Sequence, residues 1–373
     1  MNKTFLKIGT AAMAVMLFVG CDHKELCFDH DEHALKYHAE IEAAYTRVWQ
    51  WTQPGETDWE KQWPLDFDIT YQSLIPGFPK GLRTVVYADG VTARQENIDT
   101  FGGEIALAAG RNDILFYNND TEYIVFSGLG SMATASATTR SRTRPSYKGS
   151  PFCNTRSEVT VNAPDMLYGS SVVNYFPKKT QFAVPLKVSM TPLVFTYYVR
   201  LEFKSGLKYV ALARGALAGM AEGVNLYSGN TSDNRVTVMF DADLQDYGVS
   251  AAVRSFGAPG FPNSHYGSGT RADYTYGLNL EVRLRNGKIK TFDFDVTQQI
   301  QAQPQGGVIV IKGLEITDSE GQGGSSGFDV DVEGWGEYED YNTPRFSDRH
   351  NYGGMTRNRY ICKKEENHNG KTI

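Results

Sequence analysis

The chain has 373 residues, 41% hydrophobic and 12% aromatic, with 43 acidic against 37 basic side chains and a formal net charge of −6. An acidic surface disfavours nucleic acid as a partner, because phosphate binding requires clustered Lys and Arg, and four cysteines at irregular spacing describe neither a disulfide framework nor a tetrahedral zinc site. The length suits two domains of ordinary size.

Met1 to Lys7 carries Lys3 and Lys7 and no acid, and Ile8 to Gly20 is an apolar run ending in Leu17-Phe18-Val19-Gly20-Cys21. The run is shorter than the ~20 residues that a bilayer span needs. It therefore reads as an export leader over residues 1–20. A small residue directly before a cysteine is where a lipoprotein signal peptidase cuts, so cleavage after Gly20 is expected to leave Cys21 as a lipidated N-terminus. No later stretch is apolar and long enough to cross a membrane, which makes this lipid the one anchor that the sequence offers. Residues 21–33 then form a tether.

Beyond the tether, short apolar alternations broken by Gly, Asn, Asp and Pro give a β pattern with little helical periodicity. Two tandem β-sandwich domains are expected, over residues 34–190 and 191–341. The first strand is placed at Lys36 to Trp51, with Tyr37, Ile41, Tyr45, Trp49 and Trp51 on one phase; a helix over Ala34 to Ala44 is the competing reading. Further strands are expected at Leu82–Tyr87, Glu104–Leu107, Asp113–Tyr117 and Tyr123–Phe126. Ser131 to Pro151, rich in Ser, Thr and Arg, has no apolar period and is expected to be a long exposed loop.

The second domain is placed from Leu193–Leu201 onward. Tyr274, Tyr276, Leu278, Leu280, Val282 and Leu284 share a phase before Asn286-Gly287, and Phe292, Phe294 and Val296 share one after it. Asn-Gly marks a hairpin, and keeping both sets on one face favours an odd loop or a bulge, pairing Val282 with Phe292 and Leu280 with Phe294. Val308–Ile311 follows, then a Gly/Ser linker from Ser319 to Gly327. Phe328 to Glu333 alternates again, and residues 342–373 form a polar tail expected to be disordered.

The search for chemistry yields little. His23, Cys27, His30, His33 and His38, with Asp29, Asp31 and Glu32, are the densest set of possible metal ligands, but their spacing is irregular and they lie mostly in the tether; no metal and no cofactor is expected. Trp49, Trp51, Trp59 and Trp63 suit either a sugar-stacking platform or core packing, and core packing is preferred. Asp241/Asp243 and Asp329/Asp331 have calcium-like spacing that strand alternation produces equally well. No nucleophile elbow, phosphate loop, HExxH or thiol dyad is present, so no catalytic residue is assigned and the chain is read as non-enzymatic. Cys27, Cys153 and Cys362 leave one disulfide open without requiring it.

Several segments, in this order, resemble the fimbrillin-like lipoproteins of Bacteroidota related to the anchor of type V pili. They are Cys21-Asp22-His23-Lys24-Glu25-Leu26-Cys27 leading into Asp29-His30, the run Gly110 to Phe126, Gly206-Leu207-Lys208-Tyr209-Val210 before Ala218-Gly219-Met220, and Phe294-Asp295-Val296-Thr297-Gln298-Gln299-Ile300. The resemblance implies transthyretin-like Greek-key sandwiches and a structural role in the outer membrane at the cell surface, with pilus subunits as partners. Stalk subunits of such a family are cut after an arginine near the first strand; here the candidate, Arg47, falls inside the expected strand and should be protected. The segment Phe328 to Tyr338 is the expected joining strand; the alternative is an ordinary edge strand of the chain's own second domain, with Trp335 packed against the sandwich. A surface glycan-binding lipoprotein is the competing class: exposed, coplanar tryptophans would favour it, and buried ones would favour assembly.

Overall fold

The computed structural model describes residues 34–153, 159–266, 274–322 and 334–335. Gly20, Cys21, the tether with its histidines and Cys27, Asp329 and Asp331, Cys362 and the polar tail lie outside the described residues, as does the segment Phe328 to Tyr338 apart from Gly334 and Trp335.

The described chain is all-β. Its strands are β1 (Lys36–Tyr45), β2 (Leu82–Ala88), β3 (Val91–Ile98), β4 (Gly102–Ala106), β5 (Asn112–Tyr117), β6 (Ile124–Ser127), β7 (Ser136–Thr139) and β8 (Val159–Asn162). After them come β9 (Tyr168–Tyr175), β10 (Lys179–Thr180), β11 (Val184–Pro192), β12 (Phe195–Ser205), β13 (Val210–Ala221) and β14 (Gly223–Asn225). β15 (Arg235–Gln245), β16 (Gly248–Ser255), β17 (Gly277–Leu284), β18 (Ile289–Asp295) and β19 (Gly307–Glu315) complete the set. Two curled eight-stranded sheets result, consistent with the two expected sandwiches: β10-β1-β11-β9-β5-β2-β3 with β4 on β1, and β18-β17-β13-β15-β16-β12-β19 with β8 on β15.

In the first sandwich Ala39, Ile41 and Ala43 of β1 face Leu82, Val86, Ile114, Phe116 and Val188 in a shared core. The odd-numbered phase of β1 is thus inward, and a strand, not a helix, forms here. β1 nevertheless ends at Tyr45, short of the expected Trp51, and the chain beyond it leaves the sheet. β1 is an interior strand, parallel to β11 from Ala39↔Val184 to Tyr45↔Met190 and antiparallel to β4 on its other side. Gly102 lies so close to β1 that a Cβ would fall 1.7 Å from the Ile41 carbonyl oxygen, and its φ of +137° is one that only glycine adopts without strain.

β2 and β5 are buried on both faces. Their second face, with Val85, Tyr87, Leu115 and Tyr117, packs against a small sheet β14-β7-β6 and against Leu193, Leu226 and Phe256. Because β14 comes from the second half of the chain, this layer ties the two sandwiches together. β8 does the same in reverse, pairing in parallel with β15 of the second sheet at Val236↔Val159 through Met239↔Asn162.

The second core holds Leu217, Val238, Phe240, Leu278, Leu280, Val282, Val249, Val253 and Ile309. The β17–β18 hairpin has the odd loop that the apolar phases required, but its register differs by two residues from the expected one: Leu280 pairs with Phe292 and Leu278 with Phe294, while Val282 meets Lys290. The three-residue loop Arg285-Asn286-Gly287 is responsible, with Gly287 at φ +82° donating to the Leu284 carbonyl and Leu284 N–H bonding Lys288.

The first part of the expected Gly/Ser linker is ordered. Thr317 and Glu320 form a reciprocal capping box around the short helix Asp318–Gly321, and Lys290 grips both oxygens of Glu320 at 2.7 and 2.8 Å. That grip, with bonds from the backbone and hydroxyl of Thr317, holds the Glu320 carboxyl down to about 2. A depressed carboxylate contributes stability above its unfolded pKa of roughly 4.3, and loses it as pH falls through about 2. Lys290→Met is therefore expected to move the Glu320 titration upward in a side-chain NMR experiment; an unmoved titration would show that the lysine is not the cause.

Candidate anchoring and assembly surfaces

Residues 46–76 leave the first sheet and lie across the second as a strap. Thr196 N–H bonds the Trp49 carbonyl at 2.8 Å and Trp51 N–H bonds the Gln305 carbonyl at 2.9 Å, so the strap enters by backbone pairing. Trp49 is fully buried beside Tyr198 and Val308, and Trp59, Trp63, Phe67 and Tyr71 pack around it. Every indole N–H in this cluster is used: Trp49 on Tyr71 O, Trp59 on Gln303 Oε1 and Trp63 on Ile69 O. Trp49 and Trp63 meet edge to face, at 6.0 Å and 80°. The geometry is that of packing, not of a coplanar stacking platform. Asp68 closes the strap by accepting from Arg200, Tyr198 and Tyr247, while the Arg200 guanidinium lies 3.5 Å over the Tyr247 ring.

The segment Ser131 to Pro151 is not the exposed loop that its composition suggested. It contains a 3-10 turn at Met132–Thr134 and strand β7, and two of its arginines are buried on the outer face of the second sheet. Arg142 forks onto both oxygens of Asp241 at 3.1 Å, and Arg144 donates to the Gly215 carbonyl at 3.0 Å. The polar side chains of that face therefore find partners in the segment, and apolar periodicity was the wrong signal to look for.

On the same face Arg214 of β13 and Glu281 of β17 form an ion pair with side chains 1% and 3% exposed, directly opposite one another in the ladder. Arg214 Nε and one terminal nitrogen reach the same carboxylate oxygen at 2.8 and 2.5 Å, and Ser146 takes a further bond. Trp335 covers the pair, its ring 3.8 Å from the guanidinium carbon, while Arg283 donates to the Gly334 carbonyl. Sequence reading passed over Arg214 and Glu281, although Arg214 is the one charge in an apolar run; Glu281 alternates with apolar residues as Arg283 does and carries no mark of its own.

The remaining candidates separate. His38 is buried in β1 with Nδ1 2.6 Å from Glu104 Oε1, while the tether histidines lie outside the described residues. Asp241 is an ion-pair acceptor for Arg142. The Cys153 thiol, also buried, donates to the Thr275 carbonyl at 3.3 Å. Among the described residues no group of three or more His, Cys, Asp and Glu could hold a metal, and no helix is long and apolar enough to cross a membrane. Arg47 corrects the expectation of protection: it lies two residues past the end of β1, is exposed, and rests its guanidinium 4.0 Å over Phe78.

Residues 61–241 match a family described as a domain of unknown function, DUF5119. Fim4B of Bacteroides ovatus, provisionally named a fimbrium anchoring subunit, is 24% identical over 194 residues, 52% of this chain and 56% of that protein. The chain thus spans little more than half the length of the curated relative it matches. Among solved structures, a protein from Bacteroides ovatus provisionally named an adhesin is 20% identical with a TM-score of 0.48, over 78% of this chain and 97% of that one. The fimbrial anchor protein Mfa2 from Porphyromonas gingivalis is 8% identical with a TM-score of 0.40, over 74% and 90%. The resemblance to fimbrial proteins of Bacteroidota carried by the sequence motifs is borne out, and the chain is similar to a fimbrium anchoring subunit.

Proposed function

We propose that this chain is a non-catalytic, lipid-anchored pilus subunit of the outer membrane that holds a fimbria at the cell surface. The observation that carries the reading is the sequence relation to a fimbrium anchoring subunit over the 194 aligned residues. The fold supports it mechanically. β1, the strand that follows the tether, is hydrogen-bonded along both sides, so a pull between the lipid on Cys21 and the body of the protein is resisted by many ladder bonds in shear. The strap and the shared small sheet pass that load into the second sandwich.

The joining step fits strand addition through Phe328 to Tyr338, whose alternating Phe328, Val330 and Val332 suit a groove on a neighbouring subunit. Gly334 and Trp335, within that segment, rest on the outer face of the chain's own second sheet, which is the packing of Trp335 that the edge-strand alternative expects. The packed tryptophans weigh against the glycan-binding alternative.

The test is to extract outer membranes with detergent, capture the full chain and identify what accompanies it. A pilus subunit should co-purify, and intact mass should give an N-terminus at Cys21 with diacylglyceryl and N-acyl groups. An unlipidated chain with no pilus subunit would overturn the reading.

A further inference from the structure

One end of the first sandwich carries an exposed apolar rim. The start of β1, the start of β11, the end of β9 and the β2–β3 turn all lie there, as the pairings Lys36↔Thr180, Ala39↔Val184, Asn112↔Tyr175 and Ala88↔Asn112 require. Leu35, Val91, Val173, Phe176, Phe182 and Val184 are all exposed at this end, Phe182 at 78% and Phe176 at 65%. They make up nearly half of the exposed large hydrophobic side chains among the described residues. A lone exposed Phe needs no explanation, but several rimming one end of a domain mark a contact surface.

Three exposed lysines, Lys36, Lys178 and Lys179, stand among these rings, and the described residues give none of them an ion pair. Among the described residues the carboxylates at this end are partly engaged: Asp113 is held by Arg111 at 2.8 Å and accepts the Asn174 N–H, Glu104 lies 2.6 Å from His38 Nδ1, and Asp89 stands on the β2–β3 turn. Phe176-Pro177-Lys178-Lys179 and Phe182 lie on the single connection from β9 through β10 to β11, which is bound to the first residues of β1. Aromatic rings flanking lysines are the chemistry of the membrane interface, where rings enter the headgroup boundary and ammonium groups meet lipid phosphates.

The described chain also begins at this end. Residues 21–33 join Cys21 to it and can reach at most ~45 Å when fully extended, so a lipid on Cys21 would keep this rim within one domain length of the bilayer. We infer that the rim of Leu35, Phe176 and Phe182 with Lys36, Lys178 and Lys179 is a membrane-contact surface that docks the first sandwich on an anionic lipid bilayer. It orients the second sandwich, and with it the outer face carrying Trp335, away from the membrane. The inference rests on the anchoring reading for its biological setting, though not for its chemistry.

The experiment uses the chain from residue 21 onward with Cys21→Ser, so that no acyl group contributes, floated with vesicles of phosphatidylethanolamine and phosphatidylglycerol and with vesicles of phosphatidylcholine alone. The protein should float with the anionic vesicles, less so at high salt. Phe176→Ser with Phe182→Ser should weaken binding by about tenfold, and Lys178→Glu with Lys179→Glu by more, since each lysine near an anionic surface contributes roughly a fivefold factor and its reversal more. Thermal melts should match the parent because these side chains are exposed. Should the ring variant misfold, the lysine variant decides alone. Absence of flotation, unchanged flotation of the variants, or self-association that disappears with the two Phe substitutions would overturn the inference. Because the chain here is unlipidated, failure leaves the intact-mass test of Cys21 unaffected, and the reverse holds.

Discussion

Trp49→Ala is expected to destabilise the protein by ~3–5 kcal/mol, the range for a large buried aromatic truncated to Ala. The ring is fully buried, so its loss leaves a cavity between strap and sheet; it also strips the Tyr71 carbonyl of its donor and removes the edge against which Trp63 packs. The backbone has little room to collapse into the space, because the Trp49 carbonyl is held by Thr196 N–H and sits where a Cβ on Gly306 would fall, 2.6 Å away. Denaturant melts should show the loss, and limited proteolysis should open the strap before either sheet. Trp59→Ala, at the cluster's partly exposed edge, should cost far less. A loss below about 1 kcal/mol for Trp49→Ala, outside the usual range for such a truncation, would mean that the strap is held by its backbone bonds and by Asp68 instead.

Arg214→Met should cost a similar ~3–5 kcal/mol for a different reason: Glu281 would be left charged, buried and without its partner. The comparison that identifies the mechanism is the double variant. Replacing a buried pair by apolar side chains of similar volume is often neutral, so Arg214→Met with Glu281→Leu should recover most of the loss. Losses that simply add would show that packing under Trp335, and not the stranded carboxylate, sets the cost. The ion pair thus need not be a source of net stability. Its effect is to fix how Ser146 and Trp335 seat on this face, since both contact the Arg214 guanidinium.

What could be read from sequence follows from what has a period. Alternation marks β1, β12 and β17, whose apolar residues largely share one phase, while β2 and β5, buried on both faces, are legible as short runs of β-branched and aromatic residues, and Asn286-Gly287 marks the turn of the β17–β18 hairpin. β13 lacks such a mark, because Val210–Ala221, rich in alanine, has little amplitude at any period. The register of the hairpin missed by two because phase alone cannot separate loops that differ by two residues. The strap and the arginine segment were misread for a common reason. Each folds by long-range polar contacts, Asp68 with Arg200 and Arg142 with Asp241, between residues 132 and 99 apart in sequence, and no local pattern announces such partners. Arg47 shows the cost of assigning the strand end by aromatic spacing: Trp49 and Trp51 keep the odd-numbered phase of β1 but belong to the strap.

We propose that this chain ties a pilus to the membrane through Cys21. The measurement that meets this most directly is the distribution of pili between cells and culture medium when the chromosomal chain carries Cys21→Ser. The precursor is expected to stay unprocessed, and the pili to be released into the medium. Pili retained on the cells at the parental level would contradict it.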